Sequence, residues 1–288
     1  MKTDNGEVKF RVMLQVAFYG DQDKPQCMWS PACVLEGESE IDGKPAKLIL
    51  YCNGFTGAFD NYGSCSYSLL VGDVKTSQHM SRAVLSKVIS YAGRFYQLKL
   101  ESGESAGQVA KVVIEKDTSP TGELKMRLAG NENIEAGLSS ATLVGKDDPG
   151  IQFNMNGSEV STLPEGSYKM TRGNIRYGPG KDKWNVSFTK GPEITIDPNN
   201  VFDVEIGEPA MKVSAIEANK RYSSDAEEKT TYSKGTKIYL SPKVVGKAGE
   251  LYGRLNRIED GSYLAVKPEM EICDAEGKQV ASQTLEYG

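Results

Sequence analysis

Histidine is almost absent from this chain, which carries one, His79, in 288 residues. A serine or cysteine nucleophile activated by imidazole would have to use that residue. It lies beside Met80, and no GxSxG elbow or other nucleophile context occurs in the sequence. The same scarcity speaks against zinc of the hydrolytic type, which draws on several histidines. Long apolar runs are lacking too. No stretch approaches the ~20 residues that a membrane-spanning helix needs. The opening, MKTDNGEVKFRVMLQVAFYG, is broken by charged and polar residues throughout and has no apolar signal-peptide core. Excess positive charge is also missing. Lys and Arg number 34 against 39 Asp and Glu, a net charge of −5. Their interleaving reads as a solvated surface, not the clustered cations that nucleic acid requires.

What the chain has is turns and strand formers. Glycine numbers 30 and tyrosine 14, and 39% hydrophobic residues are enough to form a core. The length suggests two to three domains. The organising stretch is 47–72, KLILYCNGFTGAFDNYGSCSYSLLVG: a strand, a Gly- and Asn-rich loop flanked by Cys52 and Cys65, and a second strand. Before it, Asp42-Gly43 is a strong tight-hairpin signal between alternating runs. Ala92-Gly93 marks another turn, and Asp21 to Pro31 reads as a loop carrying Trp29. Residues 76–86 are the one place where helical spacing occurs, through Met80 and Val84, so at most one short helix is expected near 77–86. Past the composition break at 129–137, short strands continue to residue 288. About six of them fall after Glu208-Pro209, the density of an immunoglobulin-like sandwich. The expected fold is all-β, in tandem modules at 1–128, 129–207 and 208–288. The polar stretch 220–236 reads as an exposed loop.

The five cysteines separate two readings. Cys27 and Cys33 lie in CMWSPAC, which is neither CxxC nor a zinc-ribbon spacing, and a local disulfide closing a small loop fits them. Cys52 and Cys65 emerge from neighbouring strands of one hairpin and can meet. A bond there closes a loop of ~14 residues and stabilises by roughly 3 kcal/mol. Paired cysteines in hairpins favour an extracellular or periplasmic chain from which a signal peptide was removed. The alternative is five reduced thiols in the cytosol. Cys273 is left over in MEICDAEG, either as a buried small hydrophobe or as a thiol that joins two chains.

Two stretches resemble known families. TLPEGSYKM (162–170), followed by KWNVSFT and EITIDPNNVFDVEIG, resembles the carboxypeptidase regulatory-like (prealbumin-type) β-sandwich, a non-catalytic domain. Across 162–207 the resemblance implies a turn at Pro164 and Gly166 with Tyr168 packed inward. EGESEIDGKPAKLILYCNGFTGAFDN (36–61) and GKQVASQTLEYG (277–288) resemble a group of uncharacterised exported bacterial proteins of several β-domains. In that group the hairpin loop has the carboxylate spacing of a calcium site. Here Cys52, Gly54 and Thr56 replace three ligands. Asp60 and Asn61 alone remain, too few oxygens for calcium.

Paired carboxylates such as Glu36/Glu38 and Glu269/Glu271 share a strand face, the arrangement glycoside hydrolysis needs, but they are common in any acidic β protein. RYGPGKDKW (176–184) lacks the spacing of a phosphate loop and reads as a hairpin tip. No metal or cofactor is expected, and no catalytic residue. Binding is the better candidate, through Trp29 in the CMWSPAC loop and Phe55, Phe59 and Tyr62 in the 52–65 loop. Rigid aromatic faces suit sugar rings or an apolar protein patch, or fold back as plugs over sheet ends. The sequence therefore points to a non-catalytic, exported structural or assembly protein of the cell envelope or surface, with protein partners or copies of itself. The alternative is an accessory module for a polysaccharide or cell-surface partner.

Overall fold

The structure is a computed structural model. It describes residues 2–3, 6–7, 12–17, 26–31, 34–51, 61–72, 82–102, 109–129, 136–155, 160–178, 183–218, 231–260, 262–267 and 269–284. The regular elements among them are strands, and the fold is all-β with several sheets. No helix among the described residues is long and apolar enough to cross a membrane. The chain divides into two compact units, Met1–Pro120 with Val144–Asn154 and Thr121–Leu143 with Met155–Gly288.

The first unit begins with β1 (Lys2–Thr3) paired to β2 (Gly6–Glu7), and β3 (Val12–Ala17) paired to β4 (Gln26–Pro31). β4 is extended where the sequence suggested a loop: Cys27 and Trp29 lie opposite Val16 and Leu14 in the ladder. The alternation of Gln26, Met28 and Ser30 with Cys27 and Trp29 suits a strand, and Pro31 ends it, where a missing N–H does least harm.

Next come β5 (Val34–Ile41), β6 (Lys44–Tyr51), β7 (Ser66–Val71) and β8 (Ala83–Val84), hydrogen-bonded in that order as one antiparallel sheet. Asp42 and Gly43 both have positive φ, 51° and 73°, the tight hairpin turn expected of Asp-Gly between Ile41 and Lys44. β8 replaces the C-terminal end of the expected helix. Val84 lies opposite Ser66 in a ladder, so its spacing from Met80 reflects a strand edge. Residues 77–81 of that stretch lie outside the described residues.

β9 (Val88–Tyr91), β10 (Arg94–Ser102) and β11 (Val109–Lys116) form a second sheet, with Ala92 and Gly93 at the first turn. Inward positions of both sheets, among them Ile41, Leu48, Leu50, Ile89, Tyr96 and Leu98, build one core with Leu85 from the link between β8 and β9. Each such buried aliphatic side chain contributes about 1.5–3 kcal/mol.

The second unit starts with β12 (Thr121–Ala129) and β13 (Ala136–Gly145). The chain leaves it after Leu143, and β14 (Gln152–Met155) leads back. β15 (Val160–Pro164) and β16 (Gly166–Tyr177) follow, then β17 (Lys183–Lys190), β18 (Glu193–Ile196) and β19 (Val201–Gly207). The last six are β20 (Ala210–Glu217), β21 (Ile238–Val245), β22 (Leu251–Glu259), β23 (Ser262–Ala265), β24 (Glu269–Cys273) and β25 (Gln279–Thr284).

One sheet is ordered β15-β12-β19, with β12 and β19 parallel. The larger sheet runs β13-β16-β17-β22-β21-β20, with β18 on β16 and β23 on β22. β24 and β25 form a two-stranded ribbon of their own. At Glu165 the chain changes sheets, and Tyr168 folds inward: it is buried, and its hydroxyl donates to the Pro164 carbonyl at 2.9 Å. The limits of the units differ from the boundaries expected at 128/129 and 207/208, because ladders join distant segments. β12 pairs with β19, and β22 pairs along β17 from Lys183 to Lys190.

Candidate functional site

Of the aromatic residues singled out from the sequence, Tyr62 is the one whose side chain is described. Cys33, Cys52, Phe55, Phe59 and Asp60 lie outside the described residues, as do the side chains of Cys27 and Trp29. A turn places Tyr62: the Asn61 carbonyl accepts the N–H groups of Ser64 at 3.2 Å and Cys65 at 3.0 Å. Gly63 N–H and the Leu85 carbonyl bond at 2.9 Å, and Leu85 N–H returns to the Cys65 carbonyl at 2.8 Å. Cys65 is 2% exposed and belongs to the core of the first unit, while Cys52, its expected disulfide partner, lies outside the described residues.

From that turn the Tyr62 hydroxyl donates to the Leu98 carbonyl at 3.2 Å, leaving the ring half-buried along a groove. The groove has a volume of about 480 Å³ and is lined also by Lys87, Gln97, Lys99, Asp148 and Ile151. Lys87 is held by its backbone, whose N–H donates to the Gly150 carbonyl at 2.8 Å and whose carbonyl accepts Leu98 N–H at 2.7 Å. Its ammonium spans both oxygens of Asp148, at 3.1 and 2.8 Å, and stands 5.7 Å from the centre of the Tyr62 ring. Asp148 also accepts the Gly150 N–H at 2.9 Å. The Lys87 hydrogen bond, helped by that amide, holds its carboxyl below the usual carboxylate range. The buried Ser86 hydroxyl accepts Val88 N–H and Gln152 N–H, at 3.2 and 2.8 Å, fastening segment 144–154 to β9. Phe153 adds an edge-to-face contact with Phe95 at 5.8 Å.

This groove offers one aromatic face, a charge pair and the Gln97 amide, a set that can stack on and hydrogen-bond to a polyhydroxylated ligand. Among the described residues no group of three His, Cys, Asp or Glu side chains could hold a metal ion. Glu36 is ion-paired to Lys47 at 2.6 Å.

Sequence reasoning missed a second polar centre, around Glu250. Its carboxylate is fully buried. It accepts the Gly207 N–H and the Tyr252 hydroxyl (2.9 Å) on one oxygen, and the Ala248 N–H at 3.0 Å on the other. A Cβ on Gly246 would lie 2.0 Å from that carboxylate, so only glycine fits there. Burial, followed by the charge of Glu250, raises the Tyr252 hydroxyl well above its ordinary range, and burial also raises that of Tyr177. The carboxylate thereby ties the end of β19, the loop before β22 and β22 itself. The crowding of glycines in VVGKAGELYG was the one available signal.

Cys273, at the end of β24, is exposed and has a free thiol. The expectation of a buried small hydrophobe is corrected here. The ribbon has no second sheet packed against it among the described residues, so neither of its faces is an interior one. Comparison with known proteins finds no matching family model, curated protein or solved structure.

Proposed function

We propose that this chain is a non-catalytic, exported structural protein whose function is to assemble with other copies of itself at the cell envelope or surface. The observation that carries this reading is the β24–β25 ribbon. A two-stranded sheet is at best marginally stable alone in water. This one is exposed at every position but the half-buried Met270, with Ile272 39% and Val280 60% open to solvent and Cys273 exposed as well. Such a ribbon gains stability when a neighbour covers an apolar face or continues the ladder. Export is supported by the cysteine pattern of the sequence and by its resemblance to exported β-domain proteins.

Light scattering of the purified chain from micromolar concentration upward, with and without reductant, tests the reading. Masses above 31.4 kDa that grow with concentration are expected, and a reductant-sensitive part would come from Cys273. A constant 31.4 kDa in both conditions overturns self-assembly.

A second reading, an accessory module for a polysaccharide, is favoured by the groove at Tyr62, where an aromatic face adjoins the Lys87–Asp148 pair. Affinity electrophoresis in gels containing cell-surface polysaccharides tests it. Retardation that Tyr62→Ala abolishes supports the module, and migration indifferent to polysaccharide removes it.

A further inference from the structure

The exposed strand edges of the second unit carry a charge pattern that reaches past the ribbon. β20 ends the larger sheet, so one side of its backbone has no strand beside it among the described residues. Lys212 on β20 lies directly opposite Lys243 on β21, and both are exposed. Like charges opposite one another weaken a ladder, and neither lysine has a carboxylate partner among the described residues. The other face of β20 presents Met211 and Val213, 45% and 49% exposed. β24 too has no strand beside it on the side away from β25 among the described residues. It carries the complementary set: Glu269 and Glu271 on one face, Met270 and Ile272 on the other.

We infer that β24 of one copy adds antiparallel to the β20 edge of the next, so that the chain assembles head to tail. This rests on the assembly reading above and specifies its contact. With Glu271 opposite Lys212, alternation brings Ile272 opposite Met211 and Met270 opposite Val213, so charge meets charge on one face and apolar meets apolar on the other. A register shifted by one residue would set Glu271 against an apolar neighbour, which selects this pairing. Glu271 then neutralises the Lys212–Lys243 repulsion. An edge lysine ordinarily guards against pairing. Here it blocks β20 from pairing with another β20 and admits an acidic strand. Because the two surfaces differ, the contact is heterologous and grows an open filament unless its rotation closes a ring.

Charge reversal tests the contact in the full chain, read by sedimentation velocity, with circular dichroism and thermal melts confirming that each variant is folded. Glu271→Lys alone and Lys212→Glu alone are each expected to weaken association by about tenfold or more, and the two together to restore it. In parallel, Ala210→Cys places a thiol opposite Cys273 of a neighbour. A mild oxidant should then yield ladders of cross-linked chains that Cys273→Ser abolishes. If wild type assembles but both reversals leave it intact and no ladder forms, the strand pairing is wrong while assembly stands. If wild type is monomeric throughout, both fail.

Discussion

Glu250 shows how one buried carboxylate can govern a fold. Three donors converge on its buried side chain, the Gly207 amide from the end of β19 and the Ala248 amide and Tyr252 hydroxyl from either side of it in the chain. Glu250→Ala is expected to destabilise the chain by about 2–3 kcal/mol in urea unfolding, because charged hydrogen bonds are lost and buried donors are orphaned. The groove's ion pair gives a pH dependence of definite sign. Asp148 is held below the ordinary carboxylate value by Lys87. Its contribution is therefore fully present above the unfolded value of about 4 and is lost as pH falls through the folded one. Thermal melts of Asp148→Asn between about pH 7 and 3 should show a shallower acid decline than wild type.

Tyr67 works on the alkaline side. Burial pushes its hydroxyl up to about 12. The stability this represents is intact below about pH 10 and is lost as pH rises through the folded value. Absorbance of tyrosinate should show a class of tyrosines that ionises only above about pH 11 or with unfolding. None of these residues stands out in the sequence. Glu250 and Asp148 look like the surface acids that surround them, because one decisive partner of each, Gly207 for Glu250 and Lys87 for Asp148, arrives from a distant segment.

At the scale of elements, local chemistry made the hairpins legible. Asp42-Gly43 and Ala92-Gly93 both adopt the positive φ that the twist of paired strands demands. Ala92, at φ 48°, sits there without the tolerance of glycine or asparagine. Ala92→Gly is expected to raise stability by about 0.5–1 kcal/mol, read as a higher melting temperature. Tyr168, placed inward by the resemblance of TLPEGSYKM, is buried and makes a hydrogen bond that spans four residues.

What could not be read was long-range. β12 meets β19 in parallel across some seventy residues, and segment 144–154 leaves its sequence neighbours to pack with β9, through contacts that carry no local pattern. β4 and β8 were misread because an isolated proline-containing run and an apolar i, i+4 pair each suit two conformations. Glycine at 173 marks a further tight place: a Cβ there would meet the Phe188 ring at 2.2 Å. Gly173→Val should therefore disrupt the β16–β17 ladder.

For the molecule as a whole, compartment and assembly are the properties that matter, and the cysteines address the first. Alkylation of the denatured, unreduced chain followed by mass measurement should find one reactive thiol, Cys273, if the protein matures in an oxidising compartment. Five reactive thiols would support the cytosolic alternative. The proposed assembly rests on edges: among the described residues the larger sheet ends at β20 and the ribbon at β24, which leaves two rows of backbone donors and acceptors available to a neighbour.

Amide hydrogen exchange of the full chain, compared at low and high protein concentration, reads those rows directly. Selective slowing of exchange along β20 and β24 as concentration rises is the expected result. Exchange in both strands that stays the same at every concentration would contradict self-assembly through these edges.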